Sequence, residues 1–198
     1  MDAQSVPTAR TDWWPYGGLT RDVALVETPE VFIRNANIQL AELEPRTLAK
    51  ILEAVDVQPT DVVMDLGCGL GYSTAIAARM AEFVVGVEVD ADVADEAQTI
   101  LSEQGIDNAA VMTGPLENGA AKSGPYDVIL LQGAVEEVPA AILDQLREGG
   151  RIGAIFAEGA LGVVRIGRKI DGVLNWRMSF NAGAPVLAGF TSQATFTL

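Results

Sequence analysis

Between residues 62 and 156, short apolar runs alternate with stretches of helical periodicity, and that alternation leaves few folds open. Val62-Val63-Met64, Phe83–Val87, Ala109–Met112, Asp127–Leu131 and Arg151–Phe156 are the strand candidates. Between them, apolar residues recur at helical spacing: Tyr72, Ala75, Ile76 and Met80, then Val93, Ala97, Ile100 and Leu101 with Gly105 placed to end the helix. A third helix is expected to open at Pro139, carry Ile142, Leu143 and Leu146, and close at Gly149-Gly150. An earlier one starts at Pro45, with Leu48, Ile51, Leu52 and Val55 on one face, and Pro59-Thr60-Asp61 breaks it. Strands apolar on both faces and separated by amphipathic helices require a parallel sheet covered on both sides. The ending differs: Gly162–Ile170 and Val173–Phe180 are separated only by Asp171-Gly172, a hairpin turn signal. The expectation is a doubly wound α/β fold, mostly parallel, finished by an antiparallel hairpin.

Length and composition narrow the function. A chain of 198 residues suits one such domain, expected over 31–198, preceded by an arm over 1–30 that has no periodicity. Trp13, Trp14 and Tyr16 interrupt the arm; they pack it onto the body, cover a pocket, or make an oligomer contact. The net charge of −14 argues against nucleic acid as a partner, since phosphate repels such a surface and no basic cluster intervenes. The chain has no histidine and one cysteine, Cys68, which removes imidazole bases, Ser-His-Asp and Cys-His mechanisms, a disulfide and any Cys/His metal site. No basic stretch leads an apolar core at the N-terminus, and no run nears the roughly 20 apolar residues that cross a bilayer. A cytoplasmic protein with no membrane partner is expected.

The segment richest in chemistry is Asp65-Leu66-Gly67-Cys68-Gly69-Leu70-Gly71-Tyr72-Ser73, directly after the first strand. Alternate glycines let the backbone turn tightly and let a ligand approach where a Cβ would collide. A dinucleotide fingerprint needs two residues between its second and third glycines, and here Leu70 stands alone between Gly69 and Gly71. Asp65 beside the loop suits a cationic ligand better than a pyrophosphate. S-adenosylmethionine, with a sulfonium and an ammonium group, has that character. Glu88, at the tip of the second strand and 17 residues after Gly71, is placed to accept both ribose hydroxyls, with Val89 beside it. Ligands of such sheets bind outside the carboxyl ends of the strands. There Gly114, Pro115 and Leu116 can line an adenine, and Gln132-Gly133-Ala134, read as the turn after the fourth strand, can lie near the reacting methyl. Cys68 belongs to the loop as a small apolar side chain rather than as a nucleophile.

On these motifs the sequence resembles a class I, Rossmann-like methyltransferase, and within that class the protein-L-isoaspartate O-methyltransferase family. The carrying stretches are VVMDLGCGLGYSTAIAARMA, VVGVEVD and YDVILLQGAVEEVPAAILDQLREGGRIGAI. The resemblance implies a seven-stranded sheet, with Gly67, Gly69 and Gly71 contacting the methionine part of S-adenosylmethionine and Glu88 its ribose. It also implies methyl transfer to the isoaspartyl carboxylate of damaged proteins, leaving S-adenosylhomocysteine. A carboxylate is already nucleophilic at neutral pH, so a chain without histidine is compatible with that reaction. Two positions depart from the family's pattern. Leu43, followed by Glu44 and Pro45, stands where the family carries a Ser or Thr near the substrate carboxylate, and Gly114-Pro115-Leu116 replaces Gly-Asp-Gly, with Glu117 the nearest acidic stand-in. No catalytic acid or base is assigned. The alternatives are a methyltransferase for another acceptor, such as a small molecule, and a non-catalytic module that binds the cofactor or its product and acts through a partner.

Overall fold

The structure is a computed structural model, and it describes residues 45–158 and 161–192. Leu43, Glu44, Trp13, Trp14 and the arm over 1–30 lie outside the described residues. The first described element is helix α1 (Pro45–Val55). Its apolar stripe, Leu48, Ile51, Leu52 and Val55, is buried as its spacing predicts.

Strand β1 (Val62–Leu66) then leads through the glycine loop into helix α2 (Tyr72–Ala78), strand β2 (Phe83–Glu88) and helix α3 (Ala91–Glu103). Asp90 caps α3, its carboxylate accepting from the N–H groups of Asp92 and Val93. Gly105, at φ 67°, turns the chain out of that helix. Strand β3 (Ala109–Thr113) follows, then β4 (Tyr126–Val135), the short helix α4 (Ala140–Leu143), β5 (Leu146–Glu158), β6 (Leu161–Ile170) and β7 (Val173–Asn181).

The seven strands form one sheet in the order β3-β2-β1-β4-β5-β6-β7. Neighbours from β3 to β5 pair in parallel, whereas β5 with β6 and β6 with β7 pair antiparallel. Apolar side chains fill both faces: Ile51, Leu52, Val63, Val84, Leu130 and Ile155 belong to one core, Met64, Leu66, Ile129, Leu131, Tyr126 and Ile142 to the other. A β4 buried along its whole length is what a central strand covered on both faces requires.

Three local expectations need correction. The helix expected to run from Pro139 to Gly149-Gly150 stops at Leu143, and Leu146 already belongs to β5. The Gln145 side chain accepts from Ala120 N–H and donates to Asn118 C=O as well as to Ala141 C=O of the helix, and its backbone carbonyl accepts from Tyr126 N–H, which starts the strand. Gly149-Gly150 then lies in a bulge, since Tyr126 pairs with Leu146 but Val128 with Arg151. Gln132-Gly133-Ala134 is the last part of β4 rather than a turn after it. The buried face of α2 differs in part: Ala75 and Ile76 pack against the core as expected, but Ser73, Thr74, Ala77 and Ala78 are the buried residues, while Tyr72 and Met80 are exposed. A hydrogen-bonding need at Asp65 overrides the apolar pattern.

Candidate functional site

The strand order reverses between β1 and β4, and the crevice at their carboxyl ends is where ligands of doubly wound sheets bind. The glycine loop emerges there. Gly67, Gly69 and Gly71 have φ of 77°, 53° and 83°, in the left-handed region that favours glycine. Gly67 and Cys68 N–H both donate to Val87 C=O, and Gly71 N–H donates to Cys68 C=O, so the loop is a tight turn anchored on β2.

Two carboxylates hold it. Asp65 is fully buried beneath the loop and accepts from Ser73 Oγ at 2.6 Å, Thr74 Oγ1 at 2.7 Å and Gln132 Nε2 at 2.5 Å. These bonds tie β1 to α2 on one side and to β4 on the other. Burial pushes the Asp65 carboxyl above the usual carboxylate range, and the three donors pull it back. Glu88, half-buried, accepts from Gly69 N–H at 2.9 Å with one oxygen and from Val89 and Asp90 N–H with the other.

The structure therefore brings together Asp65, Gly67, Cys68, Gly69, Gly71, Glu88, Val89 and Gln132. The segment after β3 joins them, as Gly114 N–H donates to Glu88 C=O and the Leu116 Cδ1 lies 3.6 Å from where a Gly67 Cβ would stand. Asp65 differs from its expected role: with no exposed surface it braces the loop from below instead of facing a ligand directly. Cys68 is likewise buried, packed where a Gly86 Cβ would come within 2.9 Å of its sulfur. Desolvation, aided by Asp65 and Glu88, pushes its thiol far above the ordinary value, which fits an inert side chain. Glu117 lies against the Gly189 backbone.

The sequence reading missed three participants. Ser73 and Thr74 stand in the quoted motif without a role, although an Asp eight and nine residues earlier is the available signal. The third is Leu187. After β7 the chain returns to the crevice, where Ala134 N–H donates to Pro185 C=O and Leu187 N–H to Ala134 C=O. Leu187 Cδ2 sits 3.3 Å from a Gly67 Cβ position and 2.6 Å from that of Gly133. Phe190, 1% exposed, pins this segment into the core.

A seven-stranded sheet reversing at β1 and β4, with an acidic residue, three alternate glycines and a second acid at the tip of β2, defines the class I methyltransferase fold. Comparison with known proteins is narrower. Residues 30–174 match the model of the family "Protein-L-isoaspartate(D-aspartate) O-methyltransferase", and the chain belongs to that family. A protein-L-isoaspartate O-methyltransferase of Koribacter versatilis is 38% identical over 109 residues, 55% of this chain and 49% of that protein. A solved protein-L-isoaspartate O-methyltransferase structure superposes with a TM-score of 0.68 at 26% identity, over 73% of this chain and 47% of that one. A Plasmodium falciparum structure, described as a beta-aspartate methyltransferase in complex with S-adenosyl-L-homocysteine, shares the fold at 21% identity and a TM-score of 0.65, over 79% of this chain and 78% of that one. The chain spans about half the length of the first curated relatives it matches.

Proposed function

We propose that this chain binds S-adenosylmethionine in the crevice between β1 and β4 and directs its methyl group to a carboxylate oxygen of an isoaspartyl residue in a protein or peptide. The observation that carries this reading is the glycine loop at the strand-order reversal, braced by Asp65 and by Glu88. The residues fit the cofactor. Glycines at 67, 69 and 71 supply the positive φ that turns the loop tightly, and a Cβ on Gly114 would meet nothing within 4 Å. When bound, the cofactor supplies a methyl group activated by its sulfonium.

In this reading Gly67, Gly69, Gly71 and the Cys68 backbone hold the methionine end, with Gln132 nearby. Glu88 offers its remaining lone pairs to the ribose hydroxyls, and Val89, Gly114, Pro115 and Leu116 border the adenine. Asp65 acts on the cationic end through Gln132, whose amide it orients. Leu116 and Leu187 keep water from the loop. A carboxylate acceptor needs no general base at neutral pH, so the chain contributes alignment and exclusion of water. Leu43 and Glu44 belong to the substrate side of this proposal.

The test is methyl transfer from radiolabelled S-adenosylmethionine to an isoaspartyl peptide, with cofactor affinity measured by calorimetry. Binding together with transfer is expected, and Glu88→Ala should weaken binding by about 1–3 kcal/mol through lost charge-assisted hydrogen bonds. Binding without transfer would move the reading to another acceptor or to a module acting through a partner. Absence of binding would end it.

A further inference from the structure

The end of the sheet farthest from β3 carries a charge pattern opposite to the whole. Residues 146–181 hold six of the chain's 13 Lys and Arg against three acids, within a chain of net charge −14. On the α1 side of this end, Arg151 pairs opposite Arg168 and Arg168 opposite Asn175, so the three share a face. Arg177, opposite Ile166, stands in the neighbouring row of the same face. With Gln58 and the last turn of α1 they enclose a groove of about 600 Å³.

The arginines in this groove are not equivalent. Arg151 is committed, donating to Val55 and Asp56 C=O and pairing with the Asp61 carboxylate. Arg168 and Arg177 are exposed and have no hydrogen bond or ion pair among the described residues. The buried Ile166 side chain stands beside Arg177 in its row, two residues along β6 from Arg168. The opposing acid within the groove is Asp56.

We propose that this groove binds an extended acidic segment of a partner protein. Diagonal neighbours on a sheet face stand about 7–8 Å apart, close to the roughly 7 Å between alternate residues of an extended peptide. Carboxylates at alternate positions therefore reach Arg168 and Arg177 together, and each guanidinium can take one of them bidentately. The Asn175 amide, which donates one N–H to Val173 C=O, adds its other N–H beside Arg168. Nucleic acid fits worse, because two free arginines release few counterions and the remaining surface repels phosphate. A second copy meeting this face symmetrically would set the arginines against their own equivalents. The groove lies toward the amino ends of the parallel strands, as the pairing of Arg151 with Val128 at the start of β4 requires, and so opposite the glycine loop. Its occupancy leaves the crevice open.

The test is fluorescence anisotropy with a labelled peptide in which glutamate alternates with leucine, beside the same peptide carrying glutamine. The glutamate peptide should bind, the glutamine peptide should not, and added salt should weaken the complex. Arg168→Gln and Arg177→Gln should each reduce affinity on the order of tenfold, as loss of a hydrogen bond to a charged group predicts. Arg79→Gln, on the exposed end of α2, should leave it unchanged. All three positions are exposed, and matching urea midpoints would confirm intact folding. Equal binding of both peptides, indifference to both groove substitutions, or tighter binding of a single-stranded oligonucleotide would overturn the proposal.

Discussion

Asp65 shows how one buried side chain can organise a loop from beneath. Its carboxylate is the common acceptor for hydroxyls on α2 and an amide on β4, so three elements meet on it. Asp65→Asn replaces one acceptor oxygen by a donor facing other donors and should cost about 1–3 kcal/mol in urea unfolding. The pH dependence has a defined sign. A carboxyl raised on folding above its ordinary value of 3.8 takes up a proton as the chain folds. Its contribution to stability is thus fully present below 3.8 and declines as pH climbs through the raised folded value. Asparagine does not titrate, so the wild-type minus Asp65→Asn difference in urea midpoint should fall across that interval. A difference that rises with pH would mean that the three donors outweigh burial.

At the scale of elements, the hairpin and the α4–β5 junction make a contrast. Asp171 and Gly172 sit at φ 53° and 75°, the left-handed pair of a type I′ turn, and Glu148 accepts from both of their N–H groups. A Cβ on Gly172 would touch nothing, so Gly172→Ala costs conformational energy alone. About 1–2 kcal/mol is expected from equilibrium unfolding, with cofactor affinity unchanged. The turn is local chemistry and was readable from two residues. The α4–β5 junction was not. Leu146 keeps helical spacing with Ile142, yet it enters the strand because the Gln145 side chain is bound to the segment before β4 and Lys169 donates to Leu143 and Leu146 C=O from β6. Those partners lie more than 20 residues away in sequence, beyond the reach of any periodicity.

Over the whole molecule, charge is both large and uneven. A net charge of −14 on 198 residues repels itself, and salt screens that repulsion. Raising sodium chloride from low to physiological ionic strength should therefore raise the Tm. A falling Tm would mean that attractive contacts, such as Arg151 with Asp61 and Arg147 with Asp127, outweigh the repulsion. The same unevenness separates two regions in space: acids brace the crevice at the carboxyl edge of the sheet, while Arg168 and Arg177, without an ion pair among the described residues, lie at its amino edge.

The sequence by itself determined the class of fold, because burial on both faces writes itself into short apolar strands and amphipathic helices. It also determined the loop and Glu88, where glycine at positive φ and an acid at a strand tip are local requirements. Only the tertiary structure decided that Asp65 is buried, that Ser73 and Thr74 turn inward to satisfy it, and that Leu187 returns to the loop from the end of the sheet. It alone also decided that Arg168 and Arg177 share a face on which neither has an ion pair among the described residues. Each of these depends on contacts between residues distant in the chain. A buried carboxylate must find its donors, and a strand its register, wherever the packed sheet brings them.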